Sequence, residues 1–230
     1  MKIEQLFDAV TGTYSYLLWE QKTKEAALVD SVLEQFERDK KFIKQLGLKL
    51  KYTLETHVHA DHITASGLLR DEFGSDVMVH ESSGLKCADN FLNDNDTLTL
   101  GEESIHVIYT PGHTDTCISF YIDGFVFTGD ALLIDGCGRT DFQAGDAKKL
   151  YHSITQKLFA LDDQTVVYPG HDYLGFTAST ISHEKMFNSR LGNNQSEDAF
   201  VAIMDGLNLD LPKRIHIAVP GNMQCGLVKE

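Results

Sequence analysis

The sequence predicts an α+β fold in which two β-sheets are covered by helices, and three observations carry that expectation. Strand-length apolar runs recur along the chain and are interspersed with segments of helical period. Residues of metal-ligand type stand just beyond the ends of several of those runs, as in folds that build a site from strand-end loops. Hydrophobic residues make up 42% of the 230 positions, with four prolines and no low-complexity or Pro/Ser-rich linker, which suits one core-forming domain over residues 1–230.

The first thirty residues read as strands near Ile3 to Phe7, Tyr14 to Trp19 and Ala26 to Val29, paired antiparallel through short turns. The period then changes. Leu33, Phe36, Ile43 and Leu46 share one helical face, with charges opposite and Gly47 closing the helix. Leu48, Leu50, Tyr52 and Leu54 alternate with polar residues as in a half-buried strand. Ala65, Leu69 and Phe73 return to helical spacing ahead of Gly74, so the intervening loop opens a helix, with Asp61 and His62 expected in its first turn.

Val77 to Val79 reads as a short strand, and Asn90 to Asp96 as an irregular polar segment. Strands follow at Ile105 to Tyr109, Cys117 to Ile122 and Phe125 to Thr128, the first running into Pro111-Gly112-His113 and the last into Gly129-Asp130. Leu150, Ile154, Leu158 and Leu161 mark a helix with Asp146 as its N-cap. Thr165 to Tyr168 reads as a strand leading into Pro169-Gly170-His171, followed later by a helix from Glu197 to Met204 and a last strand from Ile215 to Val219.

A net charge of -14 opposes nucleic-acid binding, which depends on clustered Lys and Arg. No apolar run is long enough to span a membrane, and the start MKIEQLF resembles neither a signal peptide nor an Arg-rich transit peptide, so a soluble, cytoplasmic protein is expected. Cys87, Cys117, Cys137 and Cys225 are scattered and form no CxxC pair; reduced, buried thiols are expected.

The chemistry concentrates in THVHADH, Thr56 to His62, on the loop after the strand that ends at Leu54. His57 and His59, two apart in an extended loop, can converge on one metal while Asp61 and His62 turn the other way, so the pattern can serve two adjacent metal positions. Ligand-type residues at later strand ends extend the set to His57, His59, Asp61, His62, His113, Asp130 and His171.

This set, in this order, resembles the metallo-β-lactamase superfamily, which implies a four-layer αβ/βα sandwich: two mixed β-sheets flanked by helices, with the metal site along one edge. The resemblance admits two site chemistries. In the two-metal hydrolases Asp130 would bridge, His57, His59 and His113 would hold one ion, and Asp61, His62 and His171 the other; that is a dinuclear zinc thioester hydrolase of glyoxalase II type. The words TGDALLI, GCGRTDFQ, PGHDYLGFTAST and AVPGNMQCG instead look like the persulfide dioxygenases of the ethylmalonic encephalopathy protein family.

In that family iron sits in a 2-His-1-carboxylate arrangement, here matched by His57, His113 and Asp130, with three positions open for substrate and oxygen. His59, Asp61, His62 and His171 then become orienting groups. The resemblance implies one Fe(II) per chain and oxidation of glutathione persulfide with O2 and water to sulfite and glutathione. Such a substrate is an anion in an acidic protein, which directs attention to Tyr173, Arg139 and Arg190 as substrate-binding residues, the first two also as catalytic candidates. An ion pair of Arg139 behind Asp130 or Asp141 is the alternative. No nucleic acid or membrane is expected as partner, and a homodimer is left open. The chain departs from the dioxygenase pattern at Asp135, Asp115-Thr116 and Ser189. His80, His106, His152, His183 and His216 lack partners at ligand spacing.

Overall fold

The computed structural model describes residues 1–227. Twelve strands form two six-stranded mixed sheets. The first holds, in spatial order, β1 (Lys2–Asp8), β2 (Thr13–Trp19), β3 (Glu25–Val29), β4 (Lys49–Leu54), β5 (Asp76–His80) and β6 (Asn90–Leu92). The second runs from β7 (Thr97–Leu100) through β8 (Glu103–Tyr109), β9 (Ile118–Ile122), β10 (Phe125–Gly129) and β11 (Val166–Pro169) to β12 (Ser179–Thr180). β1 to β3 pair antiparallel and β3 to β6 parallel, while in the second sheet β10 pairs parallel with β11 and the other neighbouring strands pair antiparallel.

Alternation along each strand explains the layering, because successive side chains leave a strand on opposite faces. Tyr16, Leu18, Ala27 and Val29 join Phe120 and Phe127 of the second sheet in the core between the sheets. Their neighbours Leu17, Ala26 and Leu28 point outward to Ile43 of α1 (Phe36–Gln45) and Leu69 of α2 (Ser66–Phe73). On the far side Val126 and Val167 meet Leu150 of α3 (Ala147–His152), Ile181 of α4 (Ile181–Phe187) and Phe200 of α5 (Glu197–Asp205). Strands covered on both faces read as continuous apolar runs, which is why the central ones were legible. The four-layer sandwich expected from the sequence is the observed fold.

Asp146 caps α3 as expected, its side chain accepting from the Lys149 N–H, and Gly74 closes α2. Several expectations fail. Asp61 and His62 precede α2 rather than lying in its first turn. Residues 90–96 contribute β6, and α4 was not foreseen. Ile215 to Val219 is not a strand but the start of α6 (Ile215–Asn222). Its alternation of Ile, His and Val misled, since the buried positions are Ala218, Gly221 and Asn222, at helical spacing and drawn from small or polar residues. Nor are all thiols reduced: Cys87 and Cys225 form a disulfide, leaving Cys117 and Cys137 free and buried.

Candidate metal centre

Every ligand-type residue lies where a strand runs out. The loop after β4 carries His57, His59, Asp61 and His62, the β8–β9 connection carries His113, β10 delivers Asp130, and β11 delivers His171. β2 closes the ring, since the Tyr14 N–H donates to the Gly170 carbonyl at 2.8 Å and Thr13 bridges to His171. Two glycines let backbone approach the ligands. A Cβ on Gly138 would lie 2.3 Å from the Asp130 carbonyl oxygen and 2.8 Å from the His113 ring, and one on Gly170 would lie 2.7 Å from Asp130 Oδ1.

His57, His113 and Asp130 converge, each offering one ligand atom within 4.8 Å of the others. Their nitrogens are pre-sorted. His113 donates through Nδ1 to the Arg139 carbonyl at 2.7 Å, and His57 through Nδ1 to Thr56 Oγ1 at 3.0 Å, because the Thr56 hydroxyl itself donates to Asp30. Both Nε2 lone pairs are thereby left for a metal. Burial holds the His57 imidazole well below its ordinary pKa, so it is neutral and able to ligate. Burial also pushes the Asp130 carboxyl upward, but the charge and hydrogen bond of the His171 imidazolium outweigh it and keep the group ionised. Two imidazoles and a carboxylate fit a divalent first-row metal such as iron.

The remaining members are held differently, with His59 Nδ1 and His62 Nε2 left buried and without a hydrogen-bond partner. His171 donates Nδ1–H to Asp130 Oδ1 at 2.7 Å and Nε2–H to Asp61 Oδ2 at 3.0 Å. Ionised carboxylates only accept, so both ring nitrogens carry protons and neither has a lone pair to give. The imidazolium persists because burial, which opposes it, is outweighed by Asp130 and Asp61. His59 turns its Nε2 away to Asp30 Oδ1 at 3.1 Å, near Glu55, and these acids outweigh burial to hold its pKa well above the ordinary value. His62 Nδ1 faces Asp61 Oδ2 at 2.9 Å. His59, Asp61 and His62 do form a second group within 4.8 Å, but His171 is not among them.

The chain matches the description of the metallo-β-lactamase superfamily over residues 9–171. It is 47% identical over 228 residues to the mitochondrial persulfide dioxygenase ETHE1 of Homo sapiens, covering 98% of this chain and 89% of that one. The chain belongs to the ETHE1 persulfide dioxygenase family of that superfamily. The crystal structure of ETHE1 from Myxococcus xanthus superposes at a TM-score of 0.96, with 47% identity over 98% of this chain and 100% of that one. A "Probable hydroxyacylglutathione hydrolase" of Schizosaccharomyces pombe is 36% identical over 166 residues, 70% of this chain and 64% of that protein. A "Probable metallo-hydrolase" of Burkholderia pseudomallei also matches along the full chain, but at 32% identity against 47% for the dioxygenase.

Within this family fold the expected substrate residues divide. A cavity of about 750 Å³ opens over His57, His113, Asp130 and His171, and Tyr173, Arg139 and Arg190 all line it. Its size suits a small-molecule site. Arg139 pairs with Asp141, not Asp130: Nε and Nη2 donate to its two carboxylate oxygens at 2.6 Å, while Nη1 and Nη2 also reach the Asp210 and Leu209 carbonyls. Arg190 donates to the Cys137 carbonyl at 2.6 Å. Tyr173 is 75% exposed and stacks on the His171 ring at 5.9 Å. The departures Asp135 and Ser189 meet each other, Ser189 Oγ donating to the Asp135 carbonyl, and Asp135 also pairs with His183.

Sequence reasoning missed the supports. Asp30 anchors Thr56 and His59, Thr13 touches His171, and the Asn222 amide donates to the carbonyls of His59 and His62 while accepting from the Thr64 N–H. Asn222 lies in AVPGNMQCG, the word that carried part of the family resemblance, so a signal was there without a role attached.

Tyr173→Phe is expected to retain its metal and to lose about 1 kcal/mol of substrate binding, the contribution of one neutral hydrogen bond. Titration and steady-state kinetics check this; unchanged kinetics would take Tyr173 off the substrate wall.

Proposed function

We propose that the chain is a mononuclear iron persulfide dioxygenase that converts glutathione persulfide, oxygen and water to glutathione and sulfite, working as one domain in the cytoplasm. The observation that carries the nuclearity is His171. Spanning Asp130 and Asp61 with both nitrogens, it places a protonated imidazole where the two-metal hydrolases need a ligand. His57, His113 and Asp130 would hold the iron, which when bound supplies the redox chemistry that lets oxygen react with sulfur.

The protein's own part is binding, orientation and proton placement. Thr56 and the Arg139 carbonyl fix the two ligand imidazoles, so the site is set before substrate arrives. The His171 imidazolium offsets the Asp61 and Asp130 charges that would otherwise repel a persulfide anion. Tyr173 and Arg190 border the path by which that anion enters.

Oxygen demand separates this reading from thioester hydrolysis. Anaerobic Fe(II) protein given glutathione persulfide is expected to stay idle until oxygen is admitted, then to consume about one O2 per sulfite, since two oxygen atoms enter one sulfur. S-lactoylglutathione should be hydrolysed negligibly. Rapid anaerobic thioester hydrolysis without oxygen uptake on persulfide would replace this reading with a two-metal hydrolase.

A further inference from the structure

The segment 206–214, between α5 and α6, forms one wall of the metal-site cavity and contributes Leu209, Asp210, Leu211, Lys213 and Arg214 to it. Four arginine and lysine side chains line that cavity, and three are committed. Arg139 spends its guanidinium on Asp141 and on the Leu209 and Asp210 carbonyls, Arg190 donates to the Cys137 carbonyl, and Arg214 pairs with Glu34 at 2.6 Å. The Lys213 ammonium has no hydrogen-bond or ion-pair partner among the described residues; the Asp210 carboxylate lies near enough to Arg139 to act on its charge but accepts no hydrogen bond and forms no ion pair among them. The other two acids of the cavity, Asp61 and Asp130, already hold His171.

An uncommitted anion and an uncommitted cation three positions apart, facing one cavity, are the complement of a group that carries both charges. An α-amino acid head, with its ammonium and carboxylate on one carbon, is such a group, and a glutathione-type thiol carries one at its γ-glutamyl end. The wall is braced for this purpose at both ends, by Arg139 on the 209 and 210 carbonyls and by the Arg214–Glu34 pair. Leu209 and Leu211, about half exposed, leave apolar surface beside the charges for the aliphatic part of such a ligand.

We infer that Asp210 and Lys213 bind the ammonium and a carboxylate of the substrate's amino acid head, and so set the preference for a zwitterionic glutathione-type persulfide over a small neutral one. This deepens the reading given under Proposed function and rests on it for the identity of the thiol. It also divides labour on the wall: Arg139 is a positioning residue that holds the loop, whereas Lys213 and Asp210 meet the ligand.

The test measures binding of S-methylglutathione to the iron-loaded protein by calorimetry, so that recognition is read without turnover. Lys213→Met and Asp210→Asn should each weaken it roughly five- to tenfold, as expected for one partly exposed charge-assisted hydrogen bond. Lys213→Arg should restore most of the loss. The diethyl ester, with carboxylates masked, should bind wild type and Lys213→Met alike, and the N-acetyl derivative should bind wild type and Asp210→Asn alike. Wild-type affinity in either variant, or a loss that persists with the masked ligand, overturns the assignment. Oxygen uptake on glutathione persulfide is followed in the same preparations. No uptake by wild type alongside the expected binding pattern would remove the dioxygenase reading and leave the head-group site standing; normal uptake with unchanged affinities would do the reverse.

Discussion

Asp130→Ala and His113→Ala purified from iron-supplied cells are expected to carry iron only at background and to consume no oxygen with glutathione persulfide, while His59→Ala keeps much of its iron. The three residues lie within one loop cluster, so a purely steric view would treat them alike. Their hydrogen bonds do not. His113 is locked by the Arg139 carbonyl with its Nε2 lone pair free, and Asp130 lies 3.7 Å from that nitrogen. His59 instead directs its Nε2 at Asp30 and groups with Asp61 and His62 rather than with that triad. Losing a ligand from a three-ligand site leaves two, too few to retain a divalent ion through purification, whereas losing an orienting group costs about 10- to 100-fold in affinity. Elemental analysis with circular dichroism as the fold control decides it. Equal iron loss in all three variants would return His59 to the ligand set and reopen the two-metal arrangement.

The second large effect is on stability. The Cys87–Cys225 disulfide closes a loop of 138 residues, and removing a cross-link of that span is expected to cost about 3–5 kcal/mol by the chain-entropy argument. Cys87 is half-buried at the edge while Cys225 is fully buried, so Cys87→Ser is the gentler variant, and reductant on wild type should give the same loss. Denaturant unfolding with and without reductant measures it. Thiol titration of the unfolded chain provides the covalent check, with two reactive thiols before reduction and four after it. Four thiols without reductant would show that the cross-link does not form in solution. The expected damage reaches the site, because Asn222, three residues before Cys225, holds the His59 and His62 carbonyls.

What the sequence made legible, and what it hid, follows from where each residue sits. The inner strands are buried on both faces, so Tyr14 to Trp19 and Phe125 to Thr128 stand out as apolar runs. The strands missed, β6, β7 and β12, all lie at sheet edges, where short polar segments serve and no apolar pattern is needed. Helix α6 was misread because its buried stripe is Ala218, Gly221 and Asn222, which a search for large apolar residues passes over. Ligand types at strand ends were plain, since the loop THVHADH and the endings PGH and TGD announce themselves by composition. Nuclearity was not, because it depends on which nitrogen meets which carboxylate, and His171 is 110 residues from Asp61 in the chain. Nothing in the spacing of four cysteines could pair Cys87 with a partner 138 residues away.

One feature of the layout extends beyond catalysis. His57 hangs from the first sheet, whereas His113 and Asp130 hang from the second, so the triad exists only while the two halves are docked. Any ion it holds is therefore a clasp between the halves, and occupancy is coupled to their docking: the ion stabilises the closed arrangement in proportion to the logarithm of its free concentration over its dissociation constant. The coupling works in both directions. A substitution in the inter-sheet core, at Phe120 or Phe127 far from any ligand, should register first as weakened iron retention, and iron starvation should register as easier separation of the halves to a protease. Inactive variants of this protein will thus include ones whose chemistry is intact and whose clasp has merely come undone.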